Sequence, residues 1–258
     1  MRSHNHGTLR YYTFETFPSS NLTHAVFGRQ GGISPSPYDT LNMSISMGDS
    51  LSNVRQNRCR AFDVLNLSLD SVSTLWQVHG SKTIVVGNEL CDPYTRGDAL
   101  VTNRVGVSLF LRFADCVPIF LVDPVRKAIG IAHAGWRGVV SGVIQAAVKT
   151  MVSHFRCQPY NILAGIGPSV GPDQYRIGPQ VSEAIEQAFP RTDLLLLNRN
   201  GRVHLDLWAA SEQALRNCGV LAIETARLCT ATHSEQFFSH RGEQGRTGRF
   251  GAVIALHA

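Results

Sequence analysis

The chain has 258 residues, 43% of them hydrophobic and 17% charged. That balance suits a globular protein with a sizeable core and excludes a disordered or fibrous chain. Its net charge is +5, but the basic residues are dispersed, which favours anionic ligands without forming a nucleic-acid-binding stripe. No apolar run is long enough for a membrane span, and the N-terminal "MRSHNHGTLRYYTFETF" has no apolar signal core, so a soluble cytoplasmic protein is expected. The six cysteines are scattered with no CxxC pair, the pattern of a chain that keeps its thiols reduced.

No linker, low-complexity run or fixed-period repeat interrupts the sequence, so residues 1–258 are expected to form one domain. "LRYYTFETF" and "THAVFGR" read as opening strands. "GRQGGISPSPYDTLNMSISMGDS" is a long Gly/Pro/Ser-rich loop, of a length that often carries function. "DSLSNVRQNRCRAFDVLNL" reads as a helix capped near Asp49 to Ser52, with Val54, Cys59, Phe62 and Leu65 on its apolar side. "VSTLWQVHG" and "KTIVVG" read as a hairpin turning at Gly80-Ser81. "GVSLFLRF", "VPIFLV" and "KAIGIAH" follow as strands joined by short turns. Val140, Ile144, Ala147, Met151 and Phe155 fall at helical spacing, which predicts one helix through "GVVSGVIQAAVKTMVSHF". "NILAGIG" is a strand, and "GPQVSEAIEQAF" a helix with Pro179 in its first turn. "DLLLLN" and "RVHLD" read as strands, "LWAASEQALRNCG" as a helix ended by Gly219, and "IETARLCT" and "FGAVIAL" as strands. Consecutive strands outnumber helices. The expected fold is therefore α/β (α+β), with layered, mixed, largely antiparallel sheets and flanking helices.

His79, Cys116 and His133 share one setting: each lies at the C-terminal end of an apolar run, beside a turn. Were those runs neighbours in one sheet, the three side chains would converge at its rim. Two imidazoles and a thiolate leave an open position in a catalytic zinc site. Cys116 and His133 alone would also serve as a nucleophile and its base. Asp115 would face away from Cys116 in a regular strand, and could orient a histidine where the strand breaks. Arg137 stands at a helix start after the glycine of "AHAGWRG", a position that favours anions. Arg241, Arg246 and Arg249 lie within nine residues of a glycine-rich loop, also suited to an anionic ligand. "GIGPSVGPDQYRIG" reads as the wall of a site or a rigid connector.

"GRQGGISPSPYDTLNMS", "GDSLSNVRQNR", "WQVHG", "GDALVTN", "ADCVPIFL", "AHAGWRG", "GIGPSVGPDQYRIG" and "FFSHRGEQGRTGR" occur in that order. The set resembles the YfiH-like laccase-domain family, also called multicopper polyphenol oxidase-like or peptidoglycan editing factor proteins, from about Thr23 to Leu256. The resemblance implies an α/β domain related in topology to CNF-type toxins with a Cys-His hydrolase site. It implies metal ligands at His79, Cys116 and His133, with zinc bound there and copper as an alternative. The implied activities are phosphorolysis of adenosine, inosine and methylthioadenosine, and deamination of adenosine. Polyphenol oxidation by copper and a metal-free hydrolase role in peptidoglycan precursor editing are the alternatives. Purine nucleosides and phosphate would be the small-molecule partners, with Arg137 and Arg241 as phosphate ligands. Ser169, Asp173 and Gln174 stand where relatives carry cysteines, so those cysteines are not needed for a shared chemistry.

Overall fold

The computed structural model describes residues 1–257; Ala258, the last residue of the expected domain, lies outside them. In chain order the elements are β1 (Arg2–His6), β2 (Leu9–Thr13), β3 (Leu22–Phe27), α1 (Leu51–Asp63), β4 (Val72–Ser73), β5 (Thr83–Val85), β6 (Ala99–Thr102) and β7 (Ser108–Phe113). Then come β8 (Val117–Asp123), β9 (Ala128–Ala134), α2 (Trp136–Val140), α3 (Val143–Phe155), β10 (Leu163–Ile166) and α4 (Pro179–Ala188). The last are β11 (Leu196–Arg199), β12 (Arg202–Leu205), α5 (Leu207–Asn217), β13 (Ala222–Thr225) and β14 (Phe250–Leu256). Two six-stranded sheets result, in the orders β1-β2-β3-β14-β7-β4 and β13-β10-β8-β9-β6-β5, beside the small β11-β12 hairpin. Pairing is antiparallel except at β4-β7, β10-β13 and β5-β6, as the runs of consecutive strands predict.

The layers follow from side-chain alternation along the strands. In β7, Leu109, Leu111 and Phe113 face inward, where they meet Phe120 and Val122 of β8 and Ile129 and Ile131 of β9. Phe110, between them, faces outward and packs with Ala61 and Phe62 of α1. The far face of the second sheet, with Ile119, Leu121 and Ala132, packs on α3 and α5. The order is thus helix, sheet, sheet, helices. Strands β8, β9 and β14 are buried along their whole length, because both faces are covered and alternation with polar residues is unnecessary. Each Leu, Ile or Phe fully buried this way contributes about 1.5–3 kcal/mol.

Helix α1 starts where expected: the Ser50 side chain accepts from the Asn53 N–H at 3.1 Å. Three other expectations are corrected. Val72–Ser73 and Thr83–Val85 form no hairpin, since β4 pairs with β7 and β5 with β6, in different sheets. Gly80 does turn the chain, but the Asp98 carboxylate closes that turn by accepting the N–H groups of Val78, His79 and Gly80. The helix through Gly138–Phe155 is two, α2 and α3, because Gly142 adopts φ 80° and breaks the ladder. "IETARLCT" is a strand only as far as Thr225; Arg227 turns at φ 50°, and Cys229 returns as a lone bridge to Ser169. Strand β1 was not anticipated, because its residues are exposed apart from the half-buried His4 and show no apolar alternation.

Candidate functional site

The site lies where the chain passes between the two sheets. After β7 the backbone reverses through Asp115 at φ 84° and enters β8 of the other sheet. Cys116 stands at that crossing. His133 occupies β9 opposite Pro118 and continues the inward stripe of Ile129 and Ile131, its ring 5.4 Å from that of Phe113. His79 comes from the loop between β4 and β5, itself held at φ 60°. The sequence expectation that the three meet is realised, but not on one sheet's rim: His79 lies outside any strand, and Cys116 sits between sheets. Their ligand atoms all lie within 4.8 Å of one another. Among the described residues this is the one such group of three or more His, Cys, Asp or Glu side chains that could hold a metal.

Asp98 organises the group. It is fully buried just before β6. Its Oδ1 accepts from His133 Nδ1 and from the His79 backbone N–H, both at 2.9 Å. Its Oδ2 accepts from the N–H groups of Gly80 at 2.8 Å and Val78 at 3.2 Å. One carboxylate therefore fixes both the ring orientation of His133, leaving its Nε2 for a ligand, and the strained turn that presents His79. Burial pushes the Asp98 carboxyl up, but the His133 hydrogen bond and charge, with those N–H groups, bring it below the ordinary value. Burial likewise raises the Cys116 thiol, and the neighbouring His133 charge and hydrogen bonds from both histidines outweigh it and favour the thiolate. For His133 burial favours the neutral ring, and the Cys116 thiolate and Asp98 reverse that.

Gly135 supplies the remaining space. A Cβ there would lie 2.7 Å from Cys116 Sγ and 3.3 Å from His79 Cδ2. The glycine of "AHAGWRG" is thus required by close approach to the cluster. A soft thiolate with two imidazoles suits zinc, or a single copper, so the donor set fits a metal.

The cluster opens into a cavity of about 490 Å³. The turn Ser44–Met47, from the long Gly/Pro/Ser-rich loop, forms one wall; Val170 and Tyr175, from "GIGPSVGPDQYRIG", form another. Trp76 and Trp136 add aromatic surface. The expected arginines Arg137 and Arg241 both line it. Arg137 lies over the Trp136 ring, and Arg241 over Tyr175 while donating to the carbonyls of Gln174 and Arg176. Arg246 does not line it. Arg249, from the same loop, does, as does Arg112, which the sequence reading passed over as a strand residue. Asp115 orients no histidine: it accepts from Thr230 Oγ1, Ser239 Oγ and the Arg241 N–H, and so anchors the C-terminal loop. The histidine-orienting carboxylate is Asp98. The "GDALVTN" motif contains it, but its partners are 18 to 35 residues away.

Residues 23–257 match the family model for multi-copper polyphenol oxidoreductase laccase. The chain belongs to this family. A purine nucleoside phosphorylase from Deinococcus radiodurans is 36% identical over 93% of this chain and 91% of its own length. The purine nucleoside phosphorylase YfiH of Escherichia coli is 35% identical over 88% and 91%. The crystal structure of YlmD from Geobacillus stearothermophilus superposes with a TM-score of 0.91, at 31% identity over 99% of both chains. That YlmD structure thus shares this two-sheet architecture, and no helix among the described residues here is long and apolar enough to cross a membrane.

Proposed function

We propose that the protein is a metal-dependent purine nucleoside enzyme. It catalyses phosphorolysis of adenosine, inosine or methylthioadenosine, with deamination of adenosine as a second reaction. The observation that carries this reading is the His79, Cys116 and His133 cluster at the cavity, together with relatives named purine nucleoside phosphorylase. These three residues would hold the metal, with zinc as the better match to one thiolate and two imidazoles. When bound, such a metal supplies Lewis-acid polarisation and lowers the pKa of a water. One cluster favours single-metal chemistry over a multi-copper electron relay, which needs several.

The chain's own residues supply binding and orientation. Trp76, Trp136 and Tyr175 offer faces for a purine and its ribose. The lining arginines, Arg137 and Arg241 among them, attract phosphate and offset its charge. In phosphorolysis the C1′–N9 bond breaks, a C1′–O bond to phosphate forms, and the purine leaves with a proton. In deamination water replaces the C6 amine and ammonia leaves. Asp98 holds the proton on His133 Nδ1 throughout.

A second reading rests on the favoured Cys116 thiolate beside His133: a metal-free cysteine hydrolase with Cys116 as nucleophile. Protein of measured metal content, incubated with each nucleoside with and without phosphate, separates the two by mass spectrometry. Phosphate-dependent release of free base and the corresponding sugar 1-phosphate (ribose 1-phosphate, or its 5-methylthio form from methylthioadenosine), lost in His79→Ala and Cys116→Ser along with the metal, is expected. Fully metal-loaded protein that releases no base defeats the proposal. Metal-free protein that is hydrolytically active and inactivated by iodoacetamide establishes the second reading instead.

A further inference from the structure

The cavity holds more positive charge than its own carboxylates neutralise, and its arginines divide by burial. Arg137 and Arg241 are exposed, whereas Arg112 and Arg249 are half-buried. Neither of the inner two forms an ion pair among the described residues. Arg112 donates through Nε to Gln77 Oε1 at 3.1 Å and through Nη2 to the Leu75 carbonyl. Arg249 donates through Nη1 to the carbonyls of Thr247 and Gly248, at 3.2 and 2.8 Å. These contacts hold the guanidinium groups in place and leave Arg112 Nη1 and Arg249 Nε and Nη2 without a hydrogen-bond partner among the described residues. The nearest carboxylates are committed elsewhere. Asp115 accepts from Thr230, Ser239 and the Arg241 N–H, and Glu243 from Arg29, Ser239 and Thr247. Arg58, packed over Phe110, adds a third guanidinium, and among the described residues its side chain donates to the Met43 carbonyl alone.

A guanidinium partly withdrawn from water and without a direct ion-pair partner is completed by an anion. Poor solvation also makes their attraction for an anion stronger and less screened than at the surface. Their planar forks match a tetrahedral oxyanion. From this arrangement we infer that Arg112 and Arg249 form the oxyanion subsite, holding inorganic phosphate inside the cavity, while the exposed Arg137 and Arg241 attract anions at its mouth. The subsite assignment rests on the nucleoside reading for phosphate's role as co-substrate, but not for its binding.

The test uses inorganic phosphate with metal-quantified protein and two readouts, the thermal upshift that phosphate produces and the phosphate KM. Arg249→Gln is expected to abolish the upshift and to raise the phosphate KM about 10- to 100-fold, the value of a lost charge-assisted bond. Nucleoside KM and metal content should be unchanged. Arg112→Lys keeps charge but not the fork, and gives an independent variant should Arg112→Gln not fold; it is expected to raise the phosphate KM in the same direction. Wild-type protein whose melting responds to phosphate, but which releases no base, retains the subsite and defeats only the nucleoside reading. Wild-type phosphorolysis with an unaltered phosphate KM in Arg249→Gln and Arg112→Lys, while Arg137→Gln raises it, overturns the subsite and keeps the reading.

Discussion

Replacing Asp98 by Asn tests whether one buried carboxylate holds the site together. The carboxylate accepts four N–H bonds, two on each oxygen, at 2.8 to 3.2 Å. An amide of the same shape has one acceptor oxygen and an NH2 that donates. Whichever way it turns, one pair of donors meets another donor. Two charge-assisted bonds are lost, each worth about 1.5–3 kcal/mol, so Asp98→Asn is predicted to destabilise by about 3–6 kcal/mol. If the NH2 faces His133, the ring must accept at Nδ1 and carry its proton on Nε2, the nitrogen a metal needs. If it faces the turn instead, the loop presenting His79 is released. Either outcome should weaken metal binding about 10- to 100-fold. Urea denaturation and zinc competition against a chromogenic chelator measure the two effects. A variant as stable as wild type that binds zinc within about 2-fold would falsify the argument that Asp98 positions both histidines.

Further outcomes follow from single contacts. Gly135→Ala places a methyl 2.7 Å from Cys116 Sγ at a residue with φ −76°, where no backbone strain arises; zinc affinity should collapse while the melting temperature of the metal-free protein stays close to wild type. His24 is buried, its Nε2 accepts from the Phe14 N–H at 2.8 Å, and burial lowers its pKa from 6.5 to about 4, against the pull of Glu224. The unfolded chain therefore takes up a proton first, and stability should fall by about 3 kcal/mol as pH drops from 6.5 to about 4. Denaturation across that range should show the slope in wild type and not in His24→Phe; an equal slope in both assigns the acid loss elsewhere. In metal-free protein, Cys116 is brought down to about 6, so its iodoacetamide rate should rise through a midpoint near that pH and zinc should protect it. A midpoint in the ordinary thiol range of about 8.5 refutes the thiolate's stabilisation by the two histidines.

Local pattern was enough to reveal most of the elements. Runs such as "VPIFLV" and "FGAVIAL" are apolar throughout because both faces are covered, and two helix starts are marked locally, one by the Ser50 side-chain cap and one by Pro179 in the first turn. Composition and motif order also marked His79, Cys116, His133, Arg137 and Arg241, since an imidazole or thiol at the end of an apolar strand is conspicuous without knowing its neighbours. What local pattern could not supply was pairing. A strand's partner is set by contacts far along the chain, so the turn at Gly80 read as a hairpin although its two sides join different sheets. The same ignorance of partners hid Asp98 and Arg112. A buried aspartate and a strand arginine look ordinary in sequence; only the packing of two sheets brings four N–H groups to one carboxylate and turns a guanidinium to the cavity with no carboxylate paired to it among the described residues.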